Sequence, residues 1–119
     1  MTEPQPMPTE RPELHVRDVP DESRYEARVG DDPTLAALID YRVGKSWIAL
    51  VHTEVRDGFE GQGIGSRLVR AVLEDLRERQ IPVVPKCPFV IGWLQRHPEQ
   101  HDVLFRPLEA PEPDQPGTA

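Results

Sequence analysis

Apolar and polar residues alternate with a period of two through the first part of the chain. In Arg24–Val29, Tyr25, Ala27 and Val29 alternate with Arg24, Glu26 and Arg28, the pattern of a half-buried β-strand. Leu14–Val19 (LHVRDV) reads as a strand before it, and Pro20, Asp21, Glu22 and Ser23 supply turn chemistry between the two. Gly30-Asp31-Asp32-Pro33 marks the next turn. Residues 34–43 (TLAALIDYRV) open ambiguously, because TLAAL also suits a helix; Ile39, Tyr41 and Val43 against Asp40 and Arg42 favour a strand. Gly44-Lys45 then turns tightly into residues 47–55 (WIALVHTEV), which are rich in β-branched and aromatic side chains. Strict alternation over this segment places Ile48, Leu50, His52 and Glu54 on one face. Trp47, Ala49, Val51, Thr53 and Val55 fall on the other.

The period then changes. Ile64, Leu68, Val69, Val72, Leu73 and Leu76 recur at helical spacing over residues 64–79, with Arg67, Arg70, Glu74, Asp75, Arg77 and Glu78 on the opposite face. Residues 81–85 (IPVVP) allow a short strand hemmed by prolines. Residues 88–97 (PFVIGWLQRH) read as a second helix, with Pro88 at its first position, Pro98 as its stop, and Phe89, Val90, Trp93 and Leu94 as its apolar face. Strands joined by short turns form an antiparallel meander, and a strand returning after a helix joins parallel by a right-handed crossover. The fold class is therefore α/β (α+β): a mixed, mostly antiparallel sheet of about five strands with two main helices.

Composition narrows the class. The chain has 119 residues and a net charge of −7, with 14 prolines concentrated toward the ends. Residues 1–13 and 106–119 carry no apolar stripe and are expected to be disordered Pro-rich tails, the second one acidic, around a folding unit of residues 14–105. The longest apolar run, WIALV, is far short of a membrane span. The N-terminus lacks a basic segment followed by an apolar one, which argues against a signal peptide. A single cysteine forms no internal disulfide and fits a reducing, cytoplasmic setting. The acidic balance argues against general nucleic-acid binding.

The sharpest chemical feature is Glu60-Gly61-Gln62-Gly63-Ile64-Gly65-Ser66, between a strand ending near Val55 and the long helix. Glycines admit close backbone approach, and amides at a helix start favour an anion such as a diphosphate. A plain helix cap is the alternative. The loop fails as a P-loop, because Gly65 is followed by Ser66-Arg67, and its glycine spacing is wrong for a dinucleotide fingerprint. It is similar to the acetyl-CoA loop of GNAT acetyltransferases, [Q/R]-x-x-G-x-[G/A], and matches at both glycine positions. It departs at Glu60, where Gln or Arg is usual; a carboxylate there would repel phosphate, so Glu60 is expected to turn away and contribute backbone only.

The stretches HTEV, EGQGIGSRLV, VVPKCPFV and WLQRHPE together resemble a compact, stand-alone branch of the GNAT superfamily, over nearly the whole folding unit. The resemblance implies an N-acetyltransferase that uses acetyl-CoA as co-substrate, without a metal, and acts on a small-molecule or exposed amine. It implies a strand ending in His52-Thr53-Glu54-Val55 that splays from its neighbour. Backbone near Val55 would hold the pantetheine arm, and Gly61, Gln62, Gly63, Ile64, Gly65 and Ser66 the diphosphate. The acyl group would point toward Cys87.

Transfer to an amine needs a base for the ammonium and an acid for the departing thiolate. Many GNAT enzymes place a Tyr beside the CoA sulfur; this chain's tyrosines, Tyr25 and Tyr41, both precede the loop. Cys87 stands at the N-cap of the second helix, where a helix dipole activates a thiol. It is a candidate proton donor or transient nucleophile, against the plain alternative of a buried packing residue. His52 is a candidate base or partner of Cys87, and Glu54 a candidate base through water; both also suit a sheet end with satisfied hydrogen bonds. Lys86 is either a phosphate contact or a solvated side chain. His97 and His101 are expected to be structural or exposed, because Pro98 breaks the helix that would align them for a metal. The missing Tyr and the unusual Glu60 keep open an acyl-CoA-binding regulatory module, or a thiol protein that acetylates itself on Cys87.

Overall fold

Short loops fix the order of the strands. The computed structural model describes residues 13–108; of the expected tails, 1–13 and 106–119, residues 1–12 and 109–119 lie outside the described residues. Strand β1 (Leu14–Val19) and strand β2 (Arg24–Val29) pair antiparallel, Leu14 opposite Val29 and Val19 opposite Arg24. A single 3-10 turn, Pro20–Glu22, joins them and closes through Ser23 in the left-handed region, whose amide donates to the Pro20 carbonyl at 3.0 Å. Strand β3 (Ala37–Val43) starts later than the sequence pattern indicates. The Asp32 carboxylate accepts from the Thr34 amide at 2.9 Å, which keeps Thr34 in the turn. The ambiguous TLAAL is thus neither a helix nor wholly a strand.

Strand β4 (Ile48–Val55) pairs antiparallel with β3. Their hairpin closes where the Gly44 amide donates to the Trp47 carbonyl at 2.8 Å. Helix α1 (Ile64–Glu78) buries Ile64, Leu68, Val69, Val72, Leu73 and Leu76, the six apolar positions of its sequence pattern. It ends in a Schellman motif: Gln80 is left-handed, the Ile81 amide reaches the Leu76 carbonyl at 2.9 Å, and the Gln80 amide reaches Arg77 at 3.0 Å. Strand β5 (Val83–Pro85) then returns parallel to β4, giving the sheet order β1-β2-β3-β4-β5. Helix α2 (Pro88–Gln95) follows, and a 3-10 segment, Pro98–Val103, carries the chain back to Val83 through Leu104. The sequence pattern carries no signal for that segment. It is held by Arg77, which donates to Asp102 and Gln100 at 2.7–2.9 Å.

Both helices share one core with Tyr25, Ala27, Ile39, Tyr41, Ile48, Leu50 and Val83. The strand period puts Arg24, Glu26 and Arg28 on the opposite face. There Glu26 is buried and held by Arg24 and Arg28 at 2.8 and 2.9 Å. The hydrogen bonds of the two guanidiniums outweigh burial and hold its carboxyl below the usual range. On the helix side, Tyr25 donates to Asp75 at 2.6 Å, Tyr41 to Asp18 at 2.6 Å, and Arg79 to both carboxylates and to Tyr25. This network ties the end of α1 to β1, β2 and β3. Burial raises the Tyr41 phenol to about 12, and the bond to Asp18 adds to the rise.

Candidate active site

The site follows from one extra residue in β4. The register runs Asp40 opposite His52 and Tyr41 opposite Leu50, so Val51 is a bulge. Directly opposed residues share a face. Leu50, opposite Tyr41, faces the helices, and so do Thr53, opposite Ile39, and Val55, opposite Ala37. His52 and Glu54 turn to the other face, opposite Asp40 and Leu38. This corrects the strict alternation read from the sequence, which puts His52 and Glu54 with Ile48 and Leu50. An inserted residue inverts every side chain beyond it.

The bulge also re-aims the backbone. The Arg56 amide donates to the Ala36 carbonyl at 2.8 Å, in register with the β3–β4 ladder, which marks 36/56 as a bonded position. Antiparallel pairs alternate between bonded and non-bonded. The main-chain groups of Thr53 and Val55, opposite Ile39 and Ala37, therefore point away from β3, toward the β5 side. Yet β5 has already left. It pairs with β4 only at Ile48, Ala49 and Leu50, and the Leu50 carbonyl takes the last bonds, from Lys86 at 2.9 Å and Cys87 at 3.0 Å. Beyond this fork, β4 continues to Val55 while the other chain turns into α2. The fork leaves the main-chain edge of Thr53 and Val55 without a strand partner from β5.

The glycine loop lies at the end of that edge. Gly61 and Gly63 have φ of 80° and 72°, a left-handed conformation that L side chains resist. Gly63 is the N-cap of α1, and the Arg67 amide makes the first helical bond, to Gly63, at 3.1 Å. The amides of Ile64, Gly65 and Ser66 precede it and point out of the helix start, as an anion site requires. Glu60 turns back: its carboxylate accepts from the Gly58 amide at 3.0 Å. Gly65 is closely covered, since a Cβ there would stand 2.9 Å from Phe89 Cζ and 3.4 Å from Val55 Cγ2. Phe89, expected in the core face of α2, is instead 42% exposed at this start of α1.

Cys87 sits at the fork. It is buried, caps α2, and its Sγ–H donates to Thr53 Oγ1 at 3.3 Å. Thr53, and not His52, is thus the side chain that meets Cys87. No sequence signal marks it, because its orientation depends on the bulge. His52 lies half-exposed on the opposite face, 3.5 Å from Glu54, which also pairs with Arg56 at 3.1 Å. Glu54 lines an open groove of about 540 Å³ with Thr34, Leu35 and Asp57, and His52 a groove of about 440 Å³ with Asp40 and Arg42. Lys86 faces a different groove, with Trp47 and Phe105. His97 and His101 bind main-chain carbonyls of Trp93 and Leu94 at 2.7 and 2.6 Å. Among the described residues, no cluster of three or more His, Cys, Asp or Glu has the form of a metal site, and no helix is long and apolar enough to cross a membrane.

A mostly antiparallel sheet that forks between β4 and β5, with a glycine-capped helix beside the fork, defines the GNAT class of fold. The family model for GCN5-related N-acetyl-transferase matches residues 24–103. A GCN5-like N-acetyltransferase candidate from Staphylococcus aureus, solved by NMR, superposes with a TM-score of 0.60 at 32% identity, covering 80% of this chain and 90% of that one. Protein NATD1 of Gallus gallus is 32% identical over 75 residues, 63% of this chain and 68% of its own. Protein NATD1 of Xenopus tropicalis is 28% identical over 75 residues, 63% of this chain and 69% of its own. The chain belongs to the GCN5-related N-acetyltransferase family.

Proposed function

We propose that this protein transfers an acetyl group from acetyl-CoA to an amine. The observation that carries the reading is the alignment of three features along one gap: the main-chain edge of Thr53 and Val55, the helix-start amides of residues 64–66, and the Cys87 thiol at the fork. The edge offers hydrogen bonds to the amide-bearing pantetheine arm. The helix start offers donors and a positive dipole end to the diphosphate. Glu60, tied to Gly58, leaves that anion site free of its carboxylate.

Cys87 is the proton donor for the departing thiolate; its S–H rests on Thr53 Oγ1 and turns to the CoA sulfur as negative charge develops there. The amine attacks the thioester carbonyl, the carbon–sulfur bond breaks, Cys87 delivers a proton to the CoA sulfur, and the proton shed by the new amide nitrogen returns the Cys87 thiolate to the thiol. Glu54, on the opposite face, takes the proton from the incoming ammonium through water, with His52 beside it. The placement of His52 and Glu54 away from Cys87 also favours a second reading, an acyl-CoA-binding module without efficient chemistry.

Purified protein with acetyl-CoA and a panel of amines separates the two, with thiol release followed by a chromogenic disulfide. The enzyme reading requires CoA release above background that falls at least tenfold in Cys87→Ala. Binding with no release, unchanged in Cys87→Ala and His52→Ala, supports the module. Intact mass after acetyl-CoA treatment, before and after hydroxylamine, reads any acetyl stored on Cys87.

A further inference from the structure

We infer that Trp93 is a positioning residue that turns the Ser66 hydroxyl toward the diphosphate at the start of α1. The inference rests on the acetyl-CoA reading above. Trp93 is fully buried between the helices, and its indole Nε1–H donates to Ser66 Oγ at 2.8 Å. A shorter apolar side chain would close the same helix contact. The indole adds a polar group inside the core, and a buried N–H needs an acceptor. That acceptor is a side chain in the first turn of α1.

The bond has a direction. An indole nitrogen only donates, whereas a hydroxyl both donates and accepts. Ser66 Oγ is therefore the acceptor in this pair, and its own hydrogen must point away from Trp93. From the first turn of a helix, that hydrogen reaches either a carbonyl of the preceding turn or an anion held by the helix-start amides. With the amides of Ile64, Gly65 and Ser66 already aimed at an anion, the hydroxyl adds a side-chain donor to the main-chain set.

The indole cannot swing to undo this. His97 stacks on it at 3.9 Å between ring centroids with planes 14° apart. The Arg70 guanidinium lies 5.3 Å from the ring centroid. His97 is itself anchored to the Trp93 carbonyl. The device couples α2, which Cys87 caps, to the start of α1, so that both ends of the cleft are set by one helix.

The test is a double-mutant cycle read by calorimetry with coenzyme A on the full chain. Trp93→Phe keeps an aromatic ring and removes the N–H; Ser66→Ala removes the hydroxyl. Each single change is expected to weaken coenzyme A binding roughly five- to tenfold, the loss of one hydrogen bond. Trp93→Phe is then expected to cost nothing further in the Ser66→Ala protein, and Ser66→Thr to restore wild-type affinity. A Trp93 that merely fills space would cost the same with or without the hydroxyl, and that result overturns the inference. So does unchanged affinity in Trp93→Phe. Wild-type protein that ignores coenzyme A overturns the acetyl-CoA reading itself, a distinguishable outcome. If Trp93→Phe does not fold, benzothienylalanine at position 93, which has the shape of tryptophan without the N–H, is read in the same way.

Discussion

Gly65→Ala separates the stability of the fold from the function of the cleft. The new methyl would lie 2.9 Å from Phe89 Cζ, 3.3 Å from Phe89 Cε2 and 3.4 Å from Val55 Cγ2. Carbon atoms prefer separations of about 3.5–4.0 Å, so the Phe89 ring must retreat by roughly half to one ångström. The ring is 42% exposed and can swing outward. The overpacking cost therefore falls near the low end of its range, about 1 kcal/mol. Replacing glycine by alanine in a helix returns up to about 1 kcal/mol. Net stability should stay within about 1 kcal/mol of wild type. The methyl, however, adds bulk beside Val55 at the start of α1, on the path proposed above for the coenzyme. Its affinity should fall by more than tenfold. Urea unfolding and calorimetry with coenzyme A read the two quantities on one preparation. A stable variant with undiminished affinity would refute the placement of the coenzyme. A loss above about 3 kcal/mol, the upper range for overpacking, would refute the compliance assigned to Phe89.

The folded Tyr41 keeps its proton up to about pH 12 while an unfolded tyrosine loses it near 10, so its stabilising contribution is complete below pH 10 and is lost between pH 10 and 12; urea midpoints across this range should fall more steeply for wild type than for Tyr41→Phe. Glu26 has the opposite sign, because its folded carboxyl titrates below its unfolded value. Glu26→Gln should cost about 1–2 kcal/mol at pH 7, and the difference from wild type should shrink as acid protonates the native carboxylate. Gly44→Ala pushes a methyl into the Trp47 indole. It should cost about 1–3 kcal/mol by thermal or urea unfolding and leave coenzyme A affinity unchanged, since this turn is at the other end of β4.

Elements set by local pattern were legible in the sequence. All six buried apolar residues of α1 follow from helical spacing, and the β1–β2 pair follows from alternation and the Pro20–Glu22 turn. The parallel return of β5 follows from the helix that carries the chain back across the sheet. The face of each β4 side chain was not legible. Residues 47–51 are continuously apolar, so nothing marks where the alternation slips by one at Val51. That slip puts Thr53 against Cys87 and sends His52 and Glu54 to the far face. The glycine loop and Cys87 stood out by residue type and position. The Trp93–Ser66 bond, 27 residues apart, arises only when α2 docks on α1, and no local pattern encodes it. Phe89 fits the apolar stripe of α2, yet it lies over Gly65 because that glycine leaves room for a ring.

In the reading proposed here, acetyl-CoA lies along the fork between β4 and α2 with its diphosphate at the start of α1. A titration of 15N-labelled protein with coenzyme A, followed by amide chemical shifts, tests it most directly. Saturable shifts concentrated at Thr53, Val55, residues 61–66 and Cys87 are expected. Shifts that fail to saturate, or that gather around Trp47 and Phe105 while the glycine loop stays unmoved, would contradict it.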